Sequence, residues 1–353
     1  MWPGFAIDVI IFRYLVFAAA TILSAAVAAS EPSKNLDLVL PTDNDALFHG
    51  GGPDFYQYIE RDYNGEKSTP WQGGQYGFVR DPVETAAGTV YTRFHEGIDI
   101  RCLHRTEQGE PTDEVRAISD GKVVHVNLVP GYSNYGKYIV IEHNWGGSPY
   151  YSLYAHLSAI DVRTGQTVQR GQHIAVMGYT GEGLNRERAH LHLELNLMLS
   201  SRFEAWYNRF HQKDPNHQGK YNGMNLDGLD IARFYLELKQ NPSLTVPEFL
   251  GKEDAFYKIA LPKSRNFELP KRYPWMVPSD ATSHAKSWEV SFTRSGLPIK
   301  IEPSERSVKD PEIVWIKKNS MSVFHLTHTI ATGPSDNPRL TLYGQIMMRL
   351  FID

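Results

Sequence analysis

The sequence predicts a mainly β fold, a small antiparallel β core followed by a mixed α/β C-terminal extension. Three observations carry this. Between about Trp71 and Leu199, short runs of strand-forming residues are separated by glycine-rich turns. RAHLHLELNLML, from Arg188 to Leu199, puts His190, His192, Glu194 and Asn196 on one parity and Leu191, Leu193, Leu195 and Leu197 on the other. That is the period of a strand with one greasy face. Beyond Ser200 the apolar spacing becomes helical.

The elements follow in order. Residues 1–30 read as an export signal: Arg13, an apolar run from Tyr14 to Val27, then small residues. Ala26-Val27-Ala28 and Ala28-Ala29-Ser30 both suit signal peptidase. An uncleaved membrane anchor is the alternative, although the run is short for a span of about 20 residues. No cysteine stands directly after it, which argues against a lipid anchor. Residues 31–69 form a polar, irregular lead-in. VRAISDGKVVHVNLV is expected as a hairpin around Ser119-Asp120-Gly121. GKYIVIEH and SPYYSLYAHL read as further strands, and VRTGQTVQRGQHIAVMGYTG carries glycines at turn intervals. In LDGLDIARFYLELKQNP, a stripe of Leu229, Ala232, Phe234, Leu236 and Leu238 predicts a helix closed by Asn241-Pro242. TVPEFLGKED reads as a short helix with Pro247 in its first turn. WEVSFTRSGLPIKIEP reads as a hairpin around Ser295-Gly296, and RLTLYGQIMMRLF as a last strand. The expected domains are therefore a β unit over 70–200 and an α/β extension over 201–353.

Composition narrows the function. A formal net charge of −4 leaves no basic field for nucleic acid. The single cysteine, Cys102, permits no intrachain disulfide, so packing or a metal must hold the fold. Cys102 itself is expected as a buried small hydrophobe.

Three stretches carry chemistry: FHEGIDI with His95 and Asp99, YAHL with His156, and AHLHLEL with His190 and His192. A catalytic zinc takes three protein ligands at about 2 Å and keeps one position open. His95, Asp99 and one histidine of the pair would supply that set. Two strand residues one pleat apart share a face at about 6.6 Å, so one can bind metal while the other reaches the reacting water. Four residues of extended chain would separate His95 from Asp99 by about 13 Å. The chain must therefore turn at Glu96-Gly97, where glycine permits a tight conformation.

HEGIDI, YAHL and HLHLEL, in that order, resemble the lysostaphin-type (LytM-like) zinc metallopeptidases, which cut peptide bonds in bacterial peptidoglycan. VRAISDGKVVHV, YGKYIVIEH and VQRGQHIAVMGYTG match the same pattern between them, over about residues 70–200. The resemblance implies a lysostaphin-like antiparallel fold built on a duplicated hybrid motif, with a groove across one sheet. It implies one Zn2+ per chain on His95, Asp99 and His192, and catalytic roles for His156 and His190. Choosing His192 rather than His190 as the ligand rests on the resemblance alone. It further implies a peptidoglycan peptide as substrate, no nucleic acid, and export to the bacterial periplasm or cell envelope. Membrane attachment follows only if the N-terminal segment stays uncleaved. Relatives that merely bind the wall or activate another hydrolase typically lose ligands, and this chain keeps them all.

The sequence departs from the family in places. CLHRTEQGEPTDEVRA is longer than the usual turn after the aspartate strand, and WQGGQYGFVRDP only loosely matches the approach to the site. The extension lies outside the resemblance. Other polar residues read as ordinary: His104, His125, His143, His173, His325 and His328 as satisfied surface or core histidines. Glu194 and Asn196 read as a solvated or groove-lining face, and Glu96 as a rim group. Tyr154 shares parity with His156 and is a candidate to touch the site. Gly178, Gly181 and Gly183 lack the Gly-Lys-Ser/Thr of a phosphate loop and read as turns.

Overall fold

A computed structural model describes residues 36–86, 88–279, 285–319 and 321–353. The expected export signal lies outside the described residues. No helix among them is long and apolar enough to cross a membrane. The strands that build the site are β1 (Gly77–Thr85), β2 (Gly88–His95), β3 (Ile98–Arg101), β4 (Glu114–Arg116), β5 (Gly121–Asn127), β6 (Tyr138–Trp145), β7 (Ser148–Ala155), β8 (Thr167–Val168), β9 (His173–Val176) and β10 (His190–Met198). After them come α1 (Phe203–Phe210), β11 (Leu226–Gly228), α2 (Ile231–Gln240), α3 (Val246–Leu250), β12 (Tyr257–Pro262), β13 (Ser287–Phe292), β14 (Pro298–Ser304), β15 (Glu312–Ile316) and α4 (Leu342–Ile352).

The main sheet is antiparallel and runs β8-β5-β6-β7-β10. One edge of β10 pairs with β7, placing His192 opposite Ala155 and Asn196 opposite Tyr151. Its other edge is shared. The first half pairs with β3, with His192 opposite Asp99 and Leu193 opposite Ile98. The second half pairs with β11, with Asn196 opposite Gly228. The lead-in then flanks β3, as Gln57 N–H donates to Asp99 O and Arg101 N–H to Phe55 O.

The alternation in β10 does what its period predicts. Leu191, Leu193, Leu195 and Leu197 are fully buried in one core with Ile98, Ile100, Ile139 and Ile141. Burying each such side chain is worth roughly 1.5–3 kcal/mol, which fixes what the opposite face presents. That core continues without a break into the extension, taking in Phe203, Phe234, Phe249, Tyr257 and Phe351. In the extension α2 begins on Asp230, whose side chain accepts from Arg233 N–H. Helix α3 begins on a reciprocal capping box between Thr245 and Glu248. The predicted hairpin around Ser295-Gly296 forms from β13 and β14, with Gly296 at φ 109°.

Two local expectations are corrected. Ser119-Asp120-Gly121 is a corner between sheets, since β4 pairs with β9 while β5 pairs with β6 and β8. Gly121 is needed there for close approach: a Cβ would stand 2.6 Å from Ile141 Cγ2 and 2.7 Å from Glu142 O. RLTLYGQIMMRLF is mostly α4 rather than a strand. Thr341 caps it by accepting from Gly344 N–H, and Gly344, Met347, Met348 and Phe351 form a buried stripe at helical spacing.

Candidate metal centre

His95 ends β2 and Asp99 lies in the middle of β3, with the chain turning between them at Glu96-Gly97. The turn is where the sequence places it, but Gly97 serves contact rather than a positive φ. A Cβ there would stand 2.4 Å from Leu193 O and 2.8 Å from Glu194 Cγ. The bare glycine lets this segment lie directly on β10. His190, His192, Glu194 and Asn196 line the opposing face of that strand, and all four are buried.

His95 Nε2 lies 3.1 Å from His192 Nδ1 and 3.2 Å from Asp99 Oδ1, and His192 Nδ1 lies 3.0 Å from Asp99 Oδ1. A tetrahedral ion with bonds of about 2.0–2.1 Å separates its ligand atoms by about 3.3 Å. These three atoms therefore form a triangle of the size of one tetrahedral face. Glu96, His192 and Glu194 make a second acidic-histidine group. It shares His192, whose Nε2 is already 2.8 Å from Glu194 Oε1.

Each histidine is anchored through one ring nitrogen. His95 Nδ1 is 2.7 Å from Gln75 O, His156 Nδ1 2.8 Å from Thr180 O, and His190 Nδ1 2.7 Å from Arg188 O. A carbonyl oxygen only accepts, so in each case Nδ1 carries the hydrogen and Nε2 keeps its lone pair. The His190 Nε2 lies 3.4 Å from Asp99 Oδ1. The His156 ring centroid lies 4.8 Å from that of His190 and 5.8 Å from that of His192. His156 adopts φ 64°, a left-handed conformation that non-glycine residues seldom take and that clusters at functional sites. All five residues line one cleft of about 820 Å³.

Charge is set by close neighbours. Burial would raise the Asp99 carboxyl, but His95, His190 and Arg80 hold it well below the usual carboxylate range. Arg80 donates to Asp99 Oδ2 at 2.6 Å and to Gly73 O. Burial lowers His95. Burial, with His190 and His192 nearby, lowers His156 far enough to keep it neutral at pH 7. Burial also opposes charge on His192, yet hydrogen bonds to Asp99 and Glu194 outweigh it and push that ring up to about 10. A metal taking up Nδ1 would displace that proton.

Several groups here escape sequence reasoning. Glu194 and Asn196 are not solvated: both are fully buried. Glu194 accepts from His192, from Tyr135 Oη at 2.7 Å and from Asn196 Nδ2 at 2.8 Å. Tyr154 points into the core, where its hydroxyl accepts from Ile118 N–H. The parity shared by Tyr154 and His156 fails because β7 ends at Ala155 and the left-handed His156 breaks the alternation. His328 joins the cleft from the extension, and Arg80 comes from the stretch with only a loose motif match.

The model of Peptidase family M23 matches residues 93–202. Over 101 residues the chain is 43% identical to the peptidoglycan DD-endopeptidase ShyB of Vibrio cholerae, covering 29% of this chain and 20% of that protein. Over 102 residues it is 38% identical to the murein hydrolase activator NlpD of Salmonella dublin, covering 29% and 22%. The solved catalytic domain of the antimicrobial peptidase lysostaphin from Staphylococcus simulans is 29% identical, covering 35% of this chain and 82% of that one at a TM-score of 0.24. The chain spans about a third or less of the length of the curated relatives it matches. The stretch that matches the family model takes in His95, Asp99, His156, His190 and His192.

Proposed function

We propose that the chain is an exported zinc metalloendopeptidase that hydrolyses peptide bonds in bacterial peptidoglycan, in cross-links or stem peptides. The observation that carries this reading is the triangle of His95 Nε2, Asp99 Oδ1 and His192 Nδ1, sized for one ion and flanked by two further anchored histidines. Zinc held there would supply Lewis acidity to a water and to the scissile carbonyl. The chain's own groups do the rest. His156 is neutral with Nδ1–H fixed on Thr180 O, so its Nε2 can accept a proton. His190, fixed on Arg188 O, presents Nε2 to the same space, and a protonated Nε2–H there can donate to a developing oxyanion. Arg80 and Glu194 orient Asp99 and His192 from behind.

The similarity to a protein named as a murein hydrolase activator favours a second reading, a wall-binding or hydrolase-activating role without turnover. One experiment separates the two. Purified full-length protein is assayed for zinc content and incubated with sacculi, and new peptide termini are identified by mass spectrometry. The enzyme reading expects one zinc per chain and new termini. His192→Ala should lose zinc, while His156→Ala and His190→Ala keep zinc and lose turnover by roughly 10²–10⁴-fold. Metal lost from His190→Ala and kept by His192→Ala would invert the pair. No zinc and no new termini would leave the activator reading.

A further inference from the structure

The cleft has a second chemical feature, away from the metal triangle and built largely by the extension. Asp227 sits on β11 and lines the cleft with Glu96, Tyr257 and Tyr343. Among the described residues no hydrogen bond or ion pair reaches the Asp227 carboxylate. Burial, Glu96 and Glu194 push it up to about 8, with no cation opposing them. The position is fixed tightly. A Cβ at Gly228 would stand 2.0 Å from Glu96 O, and Gly228 O accepts from Tyr76 Oη at 2.9 Å. Strand β11 is thus pressed onto the segment between the two ligands His95 and Asp99.

Tyr257 supplies independent evidence. It is fully buried at the start of β12, yet its hydroxyl has no hydrogen-bond partner among the described residues. Leaving a buried hydroxyl unpaired is costly, so such a group calls for a partner. This one lines the cleft and reaches the tip of the β13–β14 hairpin, where a Cβ at Gly296 would stand 3.5 Å from it.

We propose that Asp227, Tyr257 and Glu96 form a subsite for a primary ammonium group on the substrate peptide, with Asp227 releasing its proton to solvent as the cation docks and then serving as its countercharge. A metal ion does not suit this corner, because Asp227 belongs to neither of the described groups whose ligand atoms converge. An ammonium carries three donors that separate acceptors can share, and two carboxylates with a hydroxyl offer those acceptors. The subsite rests on the reading of the cleft as a peptide site, and it says which peptides the cleft prefers.

The test uses the full chain as purified, in a His190→Ala background so that no peptide is consumed. Two probes are titrated, a lysine-containing stem tetrapeptide and its Nε-acetyl derivative. The free-amine peptide is expected to bind about tenfold tighter, and Asp227→Asn or Tyr257→Phe should collapse that ratio toward one. Thermal unfolding of each variant confirms that it is folded. Equal binding of the two peptides, or binding of neither, overturns the subsite. So does a Tyr257→Phe protein that keeps the preference and is merely more stable, since its hydroxyl would then be an unpaired group without a ligand. Sacculus digestion is scored separately, so a protein that cuts the wall without this preference refutes the subsite and leaves the peptidase reading standing.

Discussion

Glu194→Gln isolates one charge behind the metal triangle. Glu194 Oε1 accepts from His192 Nε2 and Tyr135 Oη, and Oε2 accepts from Asn196 Nδ2. A glutamine keeps the shape and can keep Oε1 on His192 and Tyr135. Its new NH2 then faces the Asn196 amide, whose Oδ1 is unpartnered among the described residues. Rotating that amide lets Oδ1 accept from the new donor and moves Nδ2 to the place where Oδ1 had no partner, so the number of unpaired buried groups does not rise. What changes is the charge. A charge-assisted bond is worth about 1–1.5 kcal/mol more than a neutral one, and Glu194 is fully buried, so solvent does not screen the loss. That is about tenfold in zinc affinity, at the low end of the 10–100-fold range typical of groups that orient a metal ligand. The sign of the pH dependence follows as well. His192 is raised above 6.5 to about 10 in the metal-free protein. Its stabilisation is complete below 6.5 and lost as pH rises through about 10, and zinc must displace its proton across that window. Removing the Glu194 charge lowers that ring, so zinc affinity should vary less steeply with pH between 6.5 and 9. Chelator competition at several pH values measures both quantities. Affinity within twofold of the parent, with an unchanged pH slope, would refute the reasoning. A loss beyond about a thousandfold in a folded protein would make Glu194 a ligand.

Three further outcomes are expected. Gly97→Ala places a methyl 2.4 Å from Leu193 O, so thermal unfolding should show a loss of about 1–3 kcal/mol or more and zinc content should fall. Arg80→Met removes one of the charges that hold Asp99 down. The carboxylate's contribution, lost as pH falls through its depressed pKa, is then lost at a higher pH, so the acid limb of zinc binding should move alkaline. A chain ending at Ser200 loses β11 and the core side chains of α2. It should be insoluble or unable to retain zinc on gel filtration, whereas a soluble, zinc-binding product would show the extension to be dispensable for the site.

Much of the centre is legible in the sequence because local periodicity encodes it. Alternation along Arg188–Leu199 puts His190 and His192 on one face, and the four-residue step from His95 to Asp99 demands a turn. Arg80, Glu194, Tyr135 and Asp227 are different. Their roles depend on pairings distant in sequence, such as Arg80 with Asp99 or Tyr135 with Glu194, and no period in their own stretch marks them. Where periodicity misleads, a backbone event intervenes. The left-handed His156 ends the parity that would have put Tyr154 in the cleft, and the Thr341 cap turns an apolar run into α4.

The two glycines that flank this centre tie its halves together. Gly97 allows Leu193 and Glu194 of β10 close against the Glu96-Gly97 segment, and Gly228 allows β11 close against Glu96 O. With Ile98, that segment is the whole connection between His95 and Asp99, so its path sets how far apart their side chains stand. One strand that grips it lies inside the M23 match at 93–202, and the other lies beyond it. Tyr76, from before the match, clamps the second strand by donating to Gly228 O. A side chain at either glycine must displace backbone rather than a flexible side-chain end, so the cost cannot be absorbed by a rotamer change. The spacing of the metal triangle is therefore a property of β3, β10 and β11 together. A substitution at Gly228, far from every proposed ligand in sequence, should perturb zinc binding as Gly97→Ala does.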